Sequence, residues 1–164
     1  MRIIALAAGA AIAALATAAS AAPATVNVAI SPALREDAAK LCGVKEIDRL
    51  ASNLQAEVER SLARTGDYAD SRIELVLVDA KPNRPTFKQL TDKPGLSFQS
   101  FGVGGAKIEG RAIAADGTVT PLRYSWYETD IRQSVNAWVW HDAEWTFDRF
   151  AHRLSRGQVV ASRY

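Results

Sequence analysis

One stripe of a predicted C-terminal helix carries four side chains that could bind a metal ion. At 100° per residue they project within about 80° of one another, opposite the apolar face; they are His141, Glu144, Asp148 and His152. The two histidines are eleven residues apart, about 16 Å along a helix, so one ion cannot bind both. Asp148 and His152 could bind an ion or form an ordinary surface pair. The pattern H-E-x-x-H is absent, and we predict neither a metal site nor a cofactor.

Two carboxylates at the end of a predicted strand, Glu128 and Asp130, could act as an acid and a base. Neighbouring carboxylates can take different pKa values and so divide general acid and general base work. More often such a pair caps a turn, and the position of Asp130 before Ile131-Arg132 suits that role. The chain has no G-x-S-x-G motif. We assign no catalytic residue, and keep a hydrolase of cell-wall or envelope material as the alternative function.

A glycine cluster before Lys107 invites comparison with phosphate-binding loops. It reads Gly102-Val103-Gly104-Gly105. No Ser or Thr follows Lys107, and this lysine stands where the third glycine of G-x-G-x-x-G belongs. A β-bulge or a tight turn between strands is the better interpretation.

The segment from Ala80 to Gly95 is the main candidate for binding a partner. It holds three of the six prolines and a local charge of +3. Proline lowers the cost of ordering a loop that presents polar groups to a partner. The alternative is a solvated connector that Phe87 and Leu90 pin to the core. The residues assigned to binding in this segment are Lys81, Asn83, Arg84 and Lys88.

The four tryptophans lie in the last third of the chain, at positions 126, 138, 140 and 145. If residues 137–141 are extended, Trp138 and Trp140 share one face. Core or edge packing is the expected use of Trp126 and Trp140. Trp145 projects onto the polar side of the final helix, so we predict that it is exposed and assign it to binding, because aromatic anchors on a wet face serve recognition.

Hydrophobic periodicity predicts the elements that position these residues. Period-2 alternation or apolar runs predict strands at Thr25–Ile30, Arg72–Val78, Ser97–Val103, Ala106–Ala114 and Tyr124–Glu128. Three- and four-residue spacing predicts helices over Lys45–Arg64 and Asp142–Ser155, with a short turn of helix at Thr86–Leu90. The second strand is apolar on both sides in its later half, which favours a central position. We predict an α+β domain: a mostly antiparallel sheet of four to five strands with two main helices packed on one face.

A three-residue turn, Ala115-Asp116-Gly117, fixes the register of the predicted hairpin. With Gly117 at the positive-φ position, Ile108 lies opposite Tyr124 and Glu109 opposite Arg123. A two-residue turn would place Lys107 opposite Trp126 and mismatch the two faces.

The first 21 residues have the layout of a secretory signal. Arg2 precedes the apolar run Ile3–Leu15, and Ala19-Ser20-Ala21 fits cleavage after Ala21. A retained membrane anchor is the alternative, but the run is short for a span of about 20 residues. We therefore predict a signal at 1–21, a single α+β domain at 22–164, no stable membrane span after removal of the signal, and a periplasmic or secreted location.

Composition narrows the class of protein. Without Arg2, 19 Lys and Arg stand against 18 Asp and Glu, and this near-neutral balance argues against nucleic-acid binding. With 48% hydrophobic and 23% charged residues, the chain is globular in composition. Cys42 is the single cysteine, which excludes an internal disulfide and a Cys-based zinc cluster. A small buried thiol is expected there; an intermolecular disulfide is the alternative.

The order of elements, the signal and the stretch 102–117 (GVGGAKIEGRAIAADG) resemble small exported domains of the bacterial envelope, namely the amino-terminal domain of TolB and the core of CsgG-type lipoproteins. In those families a similar strand ending in an Asp-Gly turn follows a helix and a strand. The chain departs from them in lacking a lipid-bearing cysteine. The resemblance implies an α/β fold and an envelope location. We expect an exported, non-enzymatic binding or assembly-accessory module whose partner is an envelope protein or an anionic envelope component.

Overall fold

A computed structural model describes residues 22–158. The predicted signal, 1–21, lies outside this range. The elements in chain order are β1 (Thr25–Ile30), α1 (Pro32–Lys40), α2 (Val44–Thr65), β2 (Arg72–Lys81), α3 (Phe87–Asp92), β3 (Gly105–Ile113), β4 (Val119–Tyr127), a short 3-10 helix (Ile131–Ser134) and α4 (His141–Leu154). Within the described range, no helix combines the length and the apolar character that crossing a membrane requires.

The sheet has four strands in the order β1-β2-β3-β4. β1 is parallel to β2, while the β2–β3 and β3–β4 pairs are antiparallel. The α+β class and the mostly antiparallel sheet are therefore confirmed, and β2 is a central strand as predicted. In β2, Ile73, Leu75 and Leu77 face the core and are buried.

The predicted strand at Ser97–Val103 is wrong. Its main chain makes turns and bonds to the neighbouring loop instead of joining a ladder: Ser100 N donates to Ser97 O at 3.0 Å, and Gly102 N donates to Asn83 O at 2.8 Å. These bonds occupy backbone groups that a strand would need for pairing.

The β3–β4 hairpin has the predicted register. Ile108 pairs with Tyr124 and Glu109 with Arg123. Gly117 has φ of 85°, a conformation that glycine adopts without steric cost.

Helix α1 was not predicted from the sequence, and it begins at Ser31-Pro32, directly after the predicted strand Thr25–Ile30. Ser31 Oγ accepts a hydrogen bond from Leu34 N at 3.2 Å, and Pro32 occupies the first turn, where its missing N–H costs nothing.

Helices α2 and α4 pack on one face of the sheet and form the core with it. The apolar faces that the three- and four-residue spacing predicts are buried; they include Leu50, Leu54 and Val58 of α2 and Phe147 and Phe150 of α4. The other sheet face carries cross-strand ion pairs, such as Arg111 with Glu74 at 2.6 Å. The fold thus has two layers, helices on one side and a charged strand surface on the other.

Cys42 is a free, buried thiol, as the sequence predicts. Burial, aided by the charge of Glu46, raises the pKa of this thiol, so little of it is the reactive thiolate at neutral pH. We expect a thiol-specific reagent to modify Cys42 slowly in the folded protein and rapidly in urea. Equal rates in the two conditions would contradict a buried Cys42.

Candidate functional site

Two loops meet at one end of the sheet, where β2 and β4 end and β3 begins. Lys81 at the end of β2 pairs with Gly105 at the start of β3, and Gly105 pairs with Tyr127 at the end of β4. The first loop runs from 82 to 104 and contains α3; the second runs from 128 to 140 and leads into α4. This end of the fold contains the candidate functional surface.

A buried polar network centred on Asn83 joins the two loops. Asn83 is 1% exposed, and its side-chain Nδ2 donates to Asp142 Oδ2 at 2.5 Å and to the carbonyl of Gly102 at 3.1 Å. Asp142 N donates back to Asn83 Oδ1 at 2.9 Å, and Gly104 N donates to Asp142 Oδ2 at 2.8 Å. Because its side-chain amide is used internally, Asn83 positions the loop rather than offering a group to a partner.

Close backbone approach explains two glycines of the cluster. A Cβ at Gly104 would lie 2.7 Å from both Asn83 Oδ1 and Lys81 O. A Cβ at Gly105, where φ is 150°, would lie 2.3 Å from Trp126 O. Close packing of the backbone therefore explains Gly104 and Gly105, as the sequence interpretation of a structural role expects. The bulge itself lies elsewhere, in β2 between Leu77 and Asp79.

Arg84 ties the first loop to the second. Its guanidinium donates to three main-chain carbonyls, those of Phe98, Val135 and Ala137. It also lies 5.9 Å from the centre of the Phe101 ring. These contacts fix the course of both loops. Arg84 is half-buried, and its observed bonds are structural, although the sequence assigns it to binding a partner.

Exposed apolar side chains surround Arg84. Phe87 is 75% exposed and Phe98 is 68% exposed, and their rings meet edge to face with centroids 6.0 Å apart. Phe101 and Val135 are exposed as well. We call these four residues the aromatic loop surface. Contiguous exposed apolar groups on a soluble domain mark interaction sites more often than isolated ones do.

The lysines of the first loop lie beside this surface. Lys88 pairs with Asp92 at 2.6 Å, whereas Lys93 lines a shallow pocket of about 290 Å³ with Arg84 and Phe101. Lys81 is exposed at the end of β2. Among the described residues, no carboxylate forms an ion pair with Lys81, Arg84 or Lys93.

Trp145 is 46% exposed, as predicted. Arg149 holds its ring, because the guanidinium lies 5.3 Å from the Trp145 ring and 4.8 Å from the half-buried Trp126 ring. The condition for a common face of Trp138 and Trp140 is not met, because Val139 and Trp140 form a turn and residues 137–141 are not an extended strand. Trp140 is buried and donates to Glu46 at 2.9 Å, whereas Trp138 is exposed.

Neither a protein-family model nor a curated protein matches this chain. The resemblance to the TolB and CsgG-type domains thus stays a prediction from the sequence pattern.

Glu128 and Asp130 make local bonds. Glu128 Oε1 accepts from Thr129 N at 2.8 Å and Asp130 N at 2.9 Å. Asp130 caps the 3-10 helix and binds the Arg132 guanidinium through both oxygens. The Arg132 side chain, with its backbone N–H, holds the pKa of Asp130 below the usual range. A lowered pKa is the opposite of what a general acid needs near neutral pH.

The stripe on α4 does not gather into a metal site. Glu144 accepts from Trp138 Nε1 at 2.6 Å and from Asn53 Nδ2 at 3.1 Å, and His141 lies against the Trp138 ring. Within residues 22–158, no three metal-binding side chains come together.

Sequence reasoning missed Phe98, Phe101, Val135 and Asp142 as parts of this site. Phe98 and Phe101 lie in the segment predicted as a strand, Ser97–Val103, so the pattern predicts burial of one face rather than exposure, and Val135 lies outside every predicted element. Asp142 gave no such signal, because its partner Asn83 is 59 residues away.

Proposed function

We propose that this protein is an exported, non-enzymatic binding module of the bacterial envelope that docks a partner on the aromatic loop surface. The observation that carries the proposal is the pair of Phe87 and Phe98, two largely exposed rings on a loop fixed by buried hydrogen bonds. The predicted export signal at 1–21 and the sequence resemblance to envelope domains support the periplasmic or secreted location.

A pre-ordered loop suits recognition. The Asn83 and Arg84 contacts order the backbone before any partner arrives, so less conformational entropy is lost on binding. When a partner removes these exposed rings from water, their burial makes the free energy of binding more favourable, by about 25 cal/mol per Å² of apolar area. This arrangement favours a binding role over a simple connector.

Charge indicates the chemistry of the partner. Lys93 lies next to the rings, and Arg84 keeps its positive charge although its guanidinium bonds to main-chain carbonyls; in the described range neither forms an ion pair with a carboxylate. A partner that combines apolar side chains with acidic groups would match this surface. An envelope protein with such a segment fits better than a purely anionic polymer, because the most exposed groups are aromatic.

The test is photo-crosslinking in the native envelope. A photoreactive phenylalanine analogue at position 98 is expected to form a discrete adduct with one partner protein, and the same analogue at Val119, an exposed site in the β3–β4 turn region, is expected to form none. Replacing Phe87 with Ser should reduce the adduct at position 98 at least tenfold, since anchors of this kind contribute about 2 kcal/mol or more.

A matched variant controls for lost apolar surface. Leu41→Ser removes an exposed apolar side chain from the end of α1 and should leave the position 98 adduct unchanged. An absent adduct at position 98, or equal adducts at 98 and 119, would contradict docking on the aromatic loop surface. Trp145→Ser tests whether the contact extends along α4.

A further inference from the structure

Two hydrogen bonds join Ala22 to Asp70, which lies in a turn 48 residues further along the chain. Ala22 N donates to Asp70 Oδ1 at 2.8 Å, and Asp70 N donates to Ala22 O at 2.8 Å. The two bonds join the segment before β1 to the turn before β2.

The surroundings of Ala22 are acidic. It lines a shallow pocket of about 460 Å³ together with Glu59 and Asp67, and the other described lining residues are uncharged. The pocket also contains Gly66, which caps the C-terminal end of α2. The carbonyl groups at a helix C-terminus carry partial negative charge and favour a cation. The site thus suits a positive group better than the neutral amide of an uncut chain.

The turn that holds Ala22 has an unfavourable backbone. Tyr68 and Asp70 both have φ of 58°, in the left-handed region that residues other than glycine rarely adopt. The turn keeps this conformation while Asp70 binds Ala22 through both its backbone and its side chain. Such strain persists where the surrounding contacts determine it.

Given the cleavage after Ala21 that the sequence predicts, we propose that the new α-ammonium of Ala22 forms an ion pair with Asp70. The inference rests on the export part of the proposed function. A signal peptidase of the host would add water across the Ala21–Ala22 bond, giving a carboxyl group on Ala21 and an amino group on Ala22. That amine binds a proton at neutral pH. One amide donor becomes a charged group with three donors, which strengthens its bond to the carboxylate.

The experiment uses protein recovered after export from its own host. N-terminal sequencing is expected to read Ala22-Pro23-Ala24. A glycine inserted between Ala21 and Ala22 moves the ammonium by one residue, or about 3.8 Å between Cα atoms. We expect this insertion to lower Tm by about 2 °C, the scale of one exposed ion pair in a domain of this size.

A double-variant cycle identifies the partner of the ammonium. The insertion should have no effect on Tm in an Asp70→Asn background, yet keep most of its effect in an Asp67→Asn background, because Asp67 shares the pocket without bonding to Ala22 N. An equal effect of the insertion with and without Asp70 would overturn the ion pair. Cleavage at another bond would overturn this inference and leave export intact. A chain that keeps residues 1–21 would overturn export itself.

Discussion

Replacing Asn83 with Ala is expected to lower the free energy of unfolding by about 3 kcal/mol. The change removes both side-chain bonds to Asp142 and leaves its buried carboxylate with Gly104 N as the remaining bond described for Oδ2. Bonds to charged groups contribute about 1.5–3 kcal/mol each, and a buried charge that loses its partner adds a desolvation penalty. Urea unfolding of the variant, with the slope unchanged, measures the loss.

Asn136→Ala is the matched control, because Asn136 is an exposed asparagine in the second loop. It should change stability by less than about 0.5 kcal/mol. If Asn83→Ala lowers the free energy of unfolding by less than about 1 kcal/mol, the network does not hold the two loops together. Loss of the position 98 adduct in this variant, while the domain is still folded, is also expected, because the rings lose their fixed backbone.

The bonds of Asn83 could not be predicted from the sequence. A polar residue between Pro82 and Arg84 in a loop is predicted to contact a partner. The side chain of Asn83 instead bonds to Asp142, at the start of α4. Nothing in local spacing encodes a bond across 59 residues, so a loop residue with a positioning role is indistinguishable in the sequence from one that faces a ligand.

Elements that are determined by a local sequence pattern could be predicted. The register of the β3–β4 hairpin follows from the turn residues and the pattern of faces, and the buried stripe of α4 follows from its spacing. Segments decided by distant contacts could not. Ser97–Val103 has strand-like composition, but Gly102 N bonds to Asn83 O, and Val139 and Trp140 form a turn in a segment that could also have been extended. The same distant bonds expose Phe98 and Trp138, which is why the candidate surface could be predicted only in part.

Replacing Gly105 with Ala is expected to cost about 3 kcal/mol, a penalty comparable to that of Asn83→Ala. The new Cβ would lie 2.3 Å from Trp126 O and 2.6 Å from Tyr127 Cα, and φ of 150° is strained for alanine. These atoms belong to the backbone of β4, so relief requires β3 and β4 to separate at their Gly105–Tyr127 pair. Urea unfolding measures the cost.

Gly102→Ala gives the control within the same cluster, since a Cβ there meets nothing within 4 Å; it should change stability little.

Tyr127 supplies a second measurement. Burial first, and then its hydrogen bond to Asp79, raises the pKa of the Tyr127 hydroxyl well above the usual value. Opening of the strand pair in Gly105→Ala should let Tyr127 ionise at lower pH in a spectroscopic titration. Equal unfolding midpoints for the two glycine variants would mean that β3 tolerates a side chain at position 105, and that the glycine cluster needs a different explanation from close packing against β4.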